Sequence, residues 1–123
     1  IKNDLINAVS QQDGISVLFK KVPVQDAGQL KDLVFMLKGE LPTHYMALAA
    51  EIKGKVNLMI AVSKNLIESQ GLNAGEIIRE AAKEINGGGG GQAHFASAGG
   101  SKPEGIDKAL QTAKKYIDFG IGV

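Results

Sequence analysis

Apolar residues recur along the chain with two periods. Leu30, Leu33, Val34 and Leu37 fall at i, i+3, i+4 and i+7, the buried stripe of a helix that Asp26 caps and that runs to about Lys38. Gly39 stops it there and Pro42 prevents its resumption. Ile77, Ile78, Ala81, Ala82 and Ile85 make the apolar face of a second helix, opposed by Glu76, Arg79, Glu80, Lys83 and Glu84. Asn73 followed by Glu76 resembles a capping box at its start. A third amphipathic helix is predicted from about Glu104 to Phe119, with Ile106, Leu110, Ala113 and Ile117 inside and Lys108, Gln111, Lys114 and Lys115 outside. Two shorter helices are expected, one over residues 1–9 on Leu5, Ile6 and Val9, the other from Lys64 to Ser69, capped by Ser63 and ended by Gly71.

The remaining apolar runs have strand length. Ile15 to Val22 is β-branched and apolar, follows the turn signal Asp13-Gly14 and is closed by Pro23. Tyr45 to Ile52 and Val56 to Val62 form a hairpin across Lys53-Gly54-Lys55, whose glycine supplies the positive φ of a tight turn. In the first of these runs Met46, Leu48 and Ala50 alternate with Tyr45, Ala47 and Ala49, so both faces are apolar, as in a strand covered by helices on both sides. The order is helix, strand, helix, strand, strand, helix, helix, glycine-rich loop, helix. It predicts the α/β class: a mixed β-sheet packed by helices.

Composition narrows the reading. With 123 residues, 44% apolar and 22% charged, a single domain with one core is expected. Met36, Met46 and Met59 are read as core fillers, because only 5% of residues are aromatic and Trp is absent. No apolar stretch approaches the roughly 20 residues of a membrane span, and no signal peptide is visible. The absence of Cys fits a cytoplasmic protein, and the opening Ile1 fits a piece of something longer. Net charge is only +1, but thirteen of the fourteen cations are Lys and Arg79 stands alone. Lys offers mobile point charges to phosphates, whereas Arg supplies the fork that reads base edges, so any nucleic-acid contact is expected to follow backbone and shape. Lys20-Lys21, Lys53/Lys55 and Lys114-Lys115 are small basic clusters, each consistent with a solvated surface.

The segment Asn86 to Gly100, NGGGGGQAHFASAGG, carries the most information; seven of the sixteen glycines lie between Gly87 and Gly100. Ordering five consecutive glycines is entropically costly. Two uses fit: close approach of a backbone without Cβ atoms, or a nest of N–H groups for an anion. Gln92, His94, Ser97, Ser101 and Lys102 stand beside it as hydrogen-bond donors for phosphate or sugar oxygens. A flexible loop, or plain tight packing of helix on sheet, fits the composition equally well. No GK[ST] follows the glycines, and no G-x-G-x-x-G opens a helix after a first strand, which excludes the common nucleotide loops.

Gly87 to Gly91, Ala96, Ala98, Gly99 and Gly100 together resemble the signature of the DHH-associated domain, and the lead-in LNAGEIIREAAKEINGGGGG resembles the helix that precedes it there. The resemblance runs from about Asp13 to Phe119 and is strongest to the version that ends alanyl-tRNA synthetases. It implies residues 1–12 as the end of a helical stalk and 13–123 as one globular tRNA-contacting domain. It further implies contact with the tRNA elbow, help in bringing aminoacylation and editing to one alanine tRNA, and in some members dimerisation. The related phosphoesterases that hydrolyse short oligonucleotides usually carry a His directly after the glycines, where this chain has Gln92; His94 comes two residues later. The oligonucleotide-binding half of such an enzyme is the alternative. An exposed apolar face around Leu5, Ile6 and Val9 would suit dimerisation.

Catalysis is not expected within these residues. His44 and His94 without Cys cannot make the zinc site of an editing domain. Asp13, Asp26, Asp32, Asp107 and Asp118 are scattered rather than clustered for two metal ions. ATP, Mg and Zn would belong to other parts of a parent synthetase. His44 is read as a surface or edge residue, and Tyr116 as a partly wet ring with a weakly supported stacking role. The candidate RNA-binding set is Gly87, Gly88, Gly89, Gly90, Gly91, Gln92, His94, Ser101, Lys102 and Lys108, with the last two flanking the loop and opening the helix after it.

Overall fold

The computed structural model describes residues 9–12 and 14–121. The helix expected over residues 1–9, with Leu5 and Ile6, therefore lies almost wholly outside the described residues. In chain order the elements are β1 (Ser10–Gln12), β2 (Ile15–Lys21), α1 (Ala27–Glu40), β3 (His44–Ile52), β4 (Lys55–Val62), α2 (Lys64–Gln70), α3 (Ala74–Lys83), β5 (Gly87–Gly91), β6 (Phe95–Gly100), a 3₁₀ turn (Pro103–Gly105) and α4 (Ile106–Ile121). The described strands form one six-stranded sheet in the order β1-β2-β3-β4-β6-β5. Only β2 and β3 run parallel, with α1 as their crossover; every other neighbouring pair is antiparallel. The sheet is thus mixed and helix-packed, as the sequence predicts.

The two apolar faces of β3 and β4 build two cores. Tyr45, Ala47 and Ala49 with Val56, Leu58, Ile60 and Val62 face α3 and α4. Met46, Leu48 and Ala50 with Met59 and Ala61 face the Leu30, Leu33, Val34 and Leu37 stripe of α1. On the first face α4 lies over β2 and β3, while α3 lies over β4, β6 and β5. The Tyr45 hydroxyl donates to the Ala113 carbonyl of α4, so the one polar atom that this ring buries is satisfied.

Local chemistry sets the boundaries. Asp26 Oδ1 accepts from Gln29 N at 2.8 Å and caps α1. Helix α1 runs through Gly39 to Glu40, because Leu41 N still reaches the Leu37 carbonyl before Pro42 ends it. The β3–β4 turn has positive φ at both Lys53 and Gly54, the geometry that matches strand twist in a two-residue hairpin. Ser63 does not cap α2; its Oγ accepts from His44 N and donates to Asn65. Ser10–Gln12, which the stalk reading included, pair instead with β2. Half-buried Val9 packs against the α1-side core.

The main correction concerns the glycine-rich loop, which is an antiparallel hairpin of β5 and β6. Gly87 lies opposite Gly100, Gly89 opposite Ala98 and Gly91 opposite Ala96. A Cβ on Gly87, Gly89 or Gly91 would overlap atoms of β6, and one on Gly75 of α3 would sit 2.8 Å from the Gly91 carbonyl oxygen. Close approach is therefore what these glycines provide. An N–H nest needs alternating helical backbone conformations and not a paired strand, so the hairpin does not offer it. At Gly88 and Gly90 an added Cβ would meet nothing within 4 Å.

Gly89→Ala is therefore expected to lower stability by about 1–3 kcal/mol through overpacking. Gly88→Ala should stay within about 0.5 kcal/mol of the parent. Urea unfolding of the two variants side by side checks the alternation.

Candidate nucleic-acid interface

The hairpin register puts the predicted site residues in two places. Gln92 and His94 lie in the β5–β6 turn, whereas Ser101 and Lys102 follow the opposite end of β6. The strand between them, β6, is about 17 Å long at ~3.4 Å per residue. Lys108 sits on the exposed side of α4, the helix over β2 and β3, and not over the glycines. The ten residues are not gathered into one cluster.

Several of their polar groups are already engaged in the fold. The Gln92 and Ala93 carbonyls accept from Gly75 N at 3.1 Å and Ala74 N at 2.8 Å, while Asn73 Oδ1 accepts from Glu76 N at 3.1 Å. The first N–H groups of α3 are thereby satisfied within the protein, and this helix end is not open to an anion. Ser101 N and Lys102 N both donate to the Ile85 carbonyl at 3.0 Å. The side chains of Gln92, His94, Ser101 and Lys102 remain exposed.

What the structure does bring together lies on the α1 side of the sheet. Ala96 and Ala98 of β6 point into the α3–α4 core, so Ser97 and Gly99 point the other way. Gly90 and Gly88 lie opposite them in register and share that face. Among the described residues no helix covers this part of the sheet, which leaves a floor of nearly bare backbone. At one end the floor opens into a shallow groove lined by Lys55, Asn57, Asn86, Gly99 and Ser101, among others. At the other end stand Phe95 and the flank of α1, with ring centroids of Phe35 and Phe95 5.1 Å apart.

Sequence reasoning missed this wall. Phe35 is 46% exposed and Met36 39%, although Met36 was expected in the core; Met46 and Met59 are buried as expected. Both exposed residues fall off the Leu30–Leu37 stripe, and that was the available signal. Lys55 and Asn57 gained their meaning only from the register of β4 on β6. Tyr116 lies instead between α3 and α4, with Glu80, Thr112 and Lys115. Its hydroxyl pKa is raised by burial, then by the carboxylates of Glu80 and Glu76.

His44 corrects another expectation, because it is 4% exposed rather than a surface residue. Its Nδ1 lies 2.8 Å from the Leu41 carbonyl, and buried Nε2 has no protein partner among the described residues. Nδ1 then carries the hydrogen and donates. Burial lowers the pKa of His44, the Leu41 hydrogen bond opposes this, and Lys38 adds to it. Among the described residues no three His, Cys, Asp or Glu side chains are grouped to hold a metal. No described helix is long and apolar enough to cross a membrane.

Residues 14–118 match the family model of the DHHA1 domain, and the chain belongs to that family. It is 44% identical over 117 residues to the alanine–tRNA ligase of Christiangramia forsetii, covering 95% of this chain but only 13% of that relative. It is also similar to the C-Ala domain of Aquifex aeolicus alanyl-tRNA synthetase, at 28% identity and a TM-score of 0.76, covering 88% of this chain and 96% of that one. A pGpG-specific phosphodiesterase from Vibrio cholerae shares the fold alone, at 11% identity, a TM-score of 0.54, and coverage of 94% of this chain and 37% of that one. The chain therefore spans about an eighth of the length of the ligase it matches, 13%.

The buried ring of His44 makes stability depend on pH. With its folded pKa below the unfolded value of 6.5, the unfolded state binds more protons as pH falls. The stability contributed by the neutral ring is complete above about pH 6.5 and is lost as pH drops below it. Thermal midpoints should therefore fall between pH 7.5 and 5.5, with a shallower fall in His44→Leu.

Proposed function

We propose that this chain is the tRNA-contacting C-terminal domain of an alanine–tRNA ligase, itself without catalysis. On this reading it grips the elbow of the tRNA and helps hold one tRNA for aminoacylation and editing elsewhere in the parent enzyme. The observation that carries it is the floor of Gly88, Gly90 and Gly99, held open by a hairpin whose other glycines are fixed by packing. Bare backbone admits a sugar–phosphate chain closely; Lys55 lines its groove end as a point charge, and Lys102 follows β6 at that same end. Similarity to alanine–tRNA ligases over nearly the whole chain supports the same assignment.

The opposing reading is the oligonucleotide-binding half of a DHH phosphoesterase. It rests on fold likeness alone, and Gln92 occupies the position where those enzymes usually carry a histidine.

Binding of an alanine tRNA transcript and of its unfolded single-stranded fragments, measured across a salt series, separates the two. Preference for folded tRNA is expected, with log affinity falling against log salt by about 0.7–0.9 per phosphate neutralised. Gly88→Leu should weaken binding while leaving the unfolding midpoint near that of the parent, because its side chain rises from the floor into open space. Preference for short single strands would favour the phosphoesterase reading, and absence of affinity for either would sink both.

A further inference from the structure

Resting on the RNA-binding reading above, we propose that the outer stripe of α1, with Phe95 of β6, is a base-stacking site. Phe35 takes the face of an exposed RNA nucleobase, and Lys31 and Lys38 take the phosphates beside it. Nothing in the glycine signature includes these residues.

The placement starts from helix periodicity. Leu30, Leu33, Val34 and Leu37 turn inward, while Lys31, Phe35 and Lys38, at i, i+4 and i+7, form a separate outer stripe. A phenylalanine that contributed only to the core would lie among the leucines, yet Phe35 is 46% exposed. It is held edge-to-face against Phe95 at an interplanar angle of 62°, so its orientation is fixed before any ligand arrives. Half-buried Phe95 is seated on the α1-side core and anchors the pair.

The charge around the rings selects the occupant. Lys31 Nζ lies 5.5 Å from the Phe35 centroid, and Lys38 Nζ lies 5.2 Å from Phe35 and 5.9 Å from Phe95. Neither ammonium is ion-paired among the described residues. A surface built for another protein is depleted in Lys at its centre. An exposed ring bracketed by two mobile cations suits a ligand that combines a flat π-face with anions on both sides, which is a nucleotide within a strand. A base that takes the ring face displaces a lysine towards its own phosphate, so the cation–π contact in the free protein holds the charge where it is needed. The rings also stand at one end of the bare glycine floor, so one RNA segment can lie on the floor and stack at its end.

The experiment uses the alanine tRNA transcript with Phe35→Leu, Phe35→Trp and the double change Lys31→Gln, Lys38→Gln. Circular dichroism melting confirms each fold. Phe35→Leu keeps an apolar side chain and removes the ring, and is expected to weaken binding about ten-fold or more. Phe35→Trp should retain affinity. The parent chain has no Trp, so quenching of this variant's tryptophan emission on saturation with tRNA reports stacking directly. The double Lys change should shorten the salt slope by the share of about two phosphates.

Parent-like affinity in Phe35→Leu, or unquenched emission with tRNA bound, overturns the stacking site while leaving the tRNA-binding reading intact. A parent chain with no affinity for tRNA removes both. A self-associating parent that Phe35→Leu turns monomeric, with tRNA binding unchanged, would assign the stripe to a second copy of the chain instead.

Discussion

The structure depends on one constraint: β3 and β4 are apolar on both faces and must be covered on both. Coverage is unequal. On one face α4 and α3 lie side by side and reach from β2 to β5, whereas on the other α1 is the one described helix, over the centre of the sheet. A helix about 10 Å across shields about two strands spaced ~4.8 Å apart. The β6 and β5 end of that second face is consequently left without a described helix over it. Its residues there are Ser97, Gly99, Gly88 and Gly90, which place almost no apolar surface in water. The open floor follows from how the two cores are closed.

The five consecutive glycines do two different things because a strand alternates. Gly87, Gly89 and Gly91 lie where β6 leaves no room for a side chain, and Gly75 lets the start of α3 come down on the same hairpin. Gly88 and Gly90 have room and do not use it. This division was invisible in the sequence. Strand signals come from side-chain pattern and from β-branched or aromatic content, and five glycines carry neither. Glycine density marked the segment as important, and close backbone approach was one of the uses it suggested. That it was a paired strand, with the phase that tells floor from packing, required the register.

Elsewhere legibility tracked periodicity. The stripe of α1, the faces of α3 and α4, the caps at Asp26 and Asn73 and the β3–β4 hairpin were all readable, because each rests on contacts within a few residues or on a repeated pattern. Failures came where tertiary placement decides. His44 reads as an edge residue, but it sits where β3 meets the Ser63 turn and is sealed there by packing. Lys102 and Lys108 are close to the glycines in sequence, yet the hairpin carries Lys102 to the end opposite Gln92 and His94, and α4 carries Lys108 towards the other half of the sheet.

The character of the floor bears on how such a surface recognises anything. A base edge is read by fixed donors and acceptors in a plane, which Arg, Asn and Gln side chains supply. Here the floor presents backbone, and the cations around it, Lys31, Lys38, Lys55 and Lys102, are flexible point charges. With a ring at one end and charges at both, the arrangement would, as an RNA site, specify spacing and curvature along a strand while staying indifferent to base identity. On the proposed RNA-binding reading, a domain of this kind would discriminate folded RNA by shape. It would add affinity for any molecule with the right bend, and leave the choice among tRNAs to other contacts.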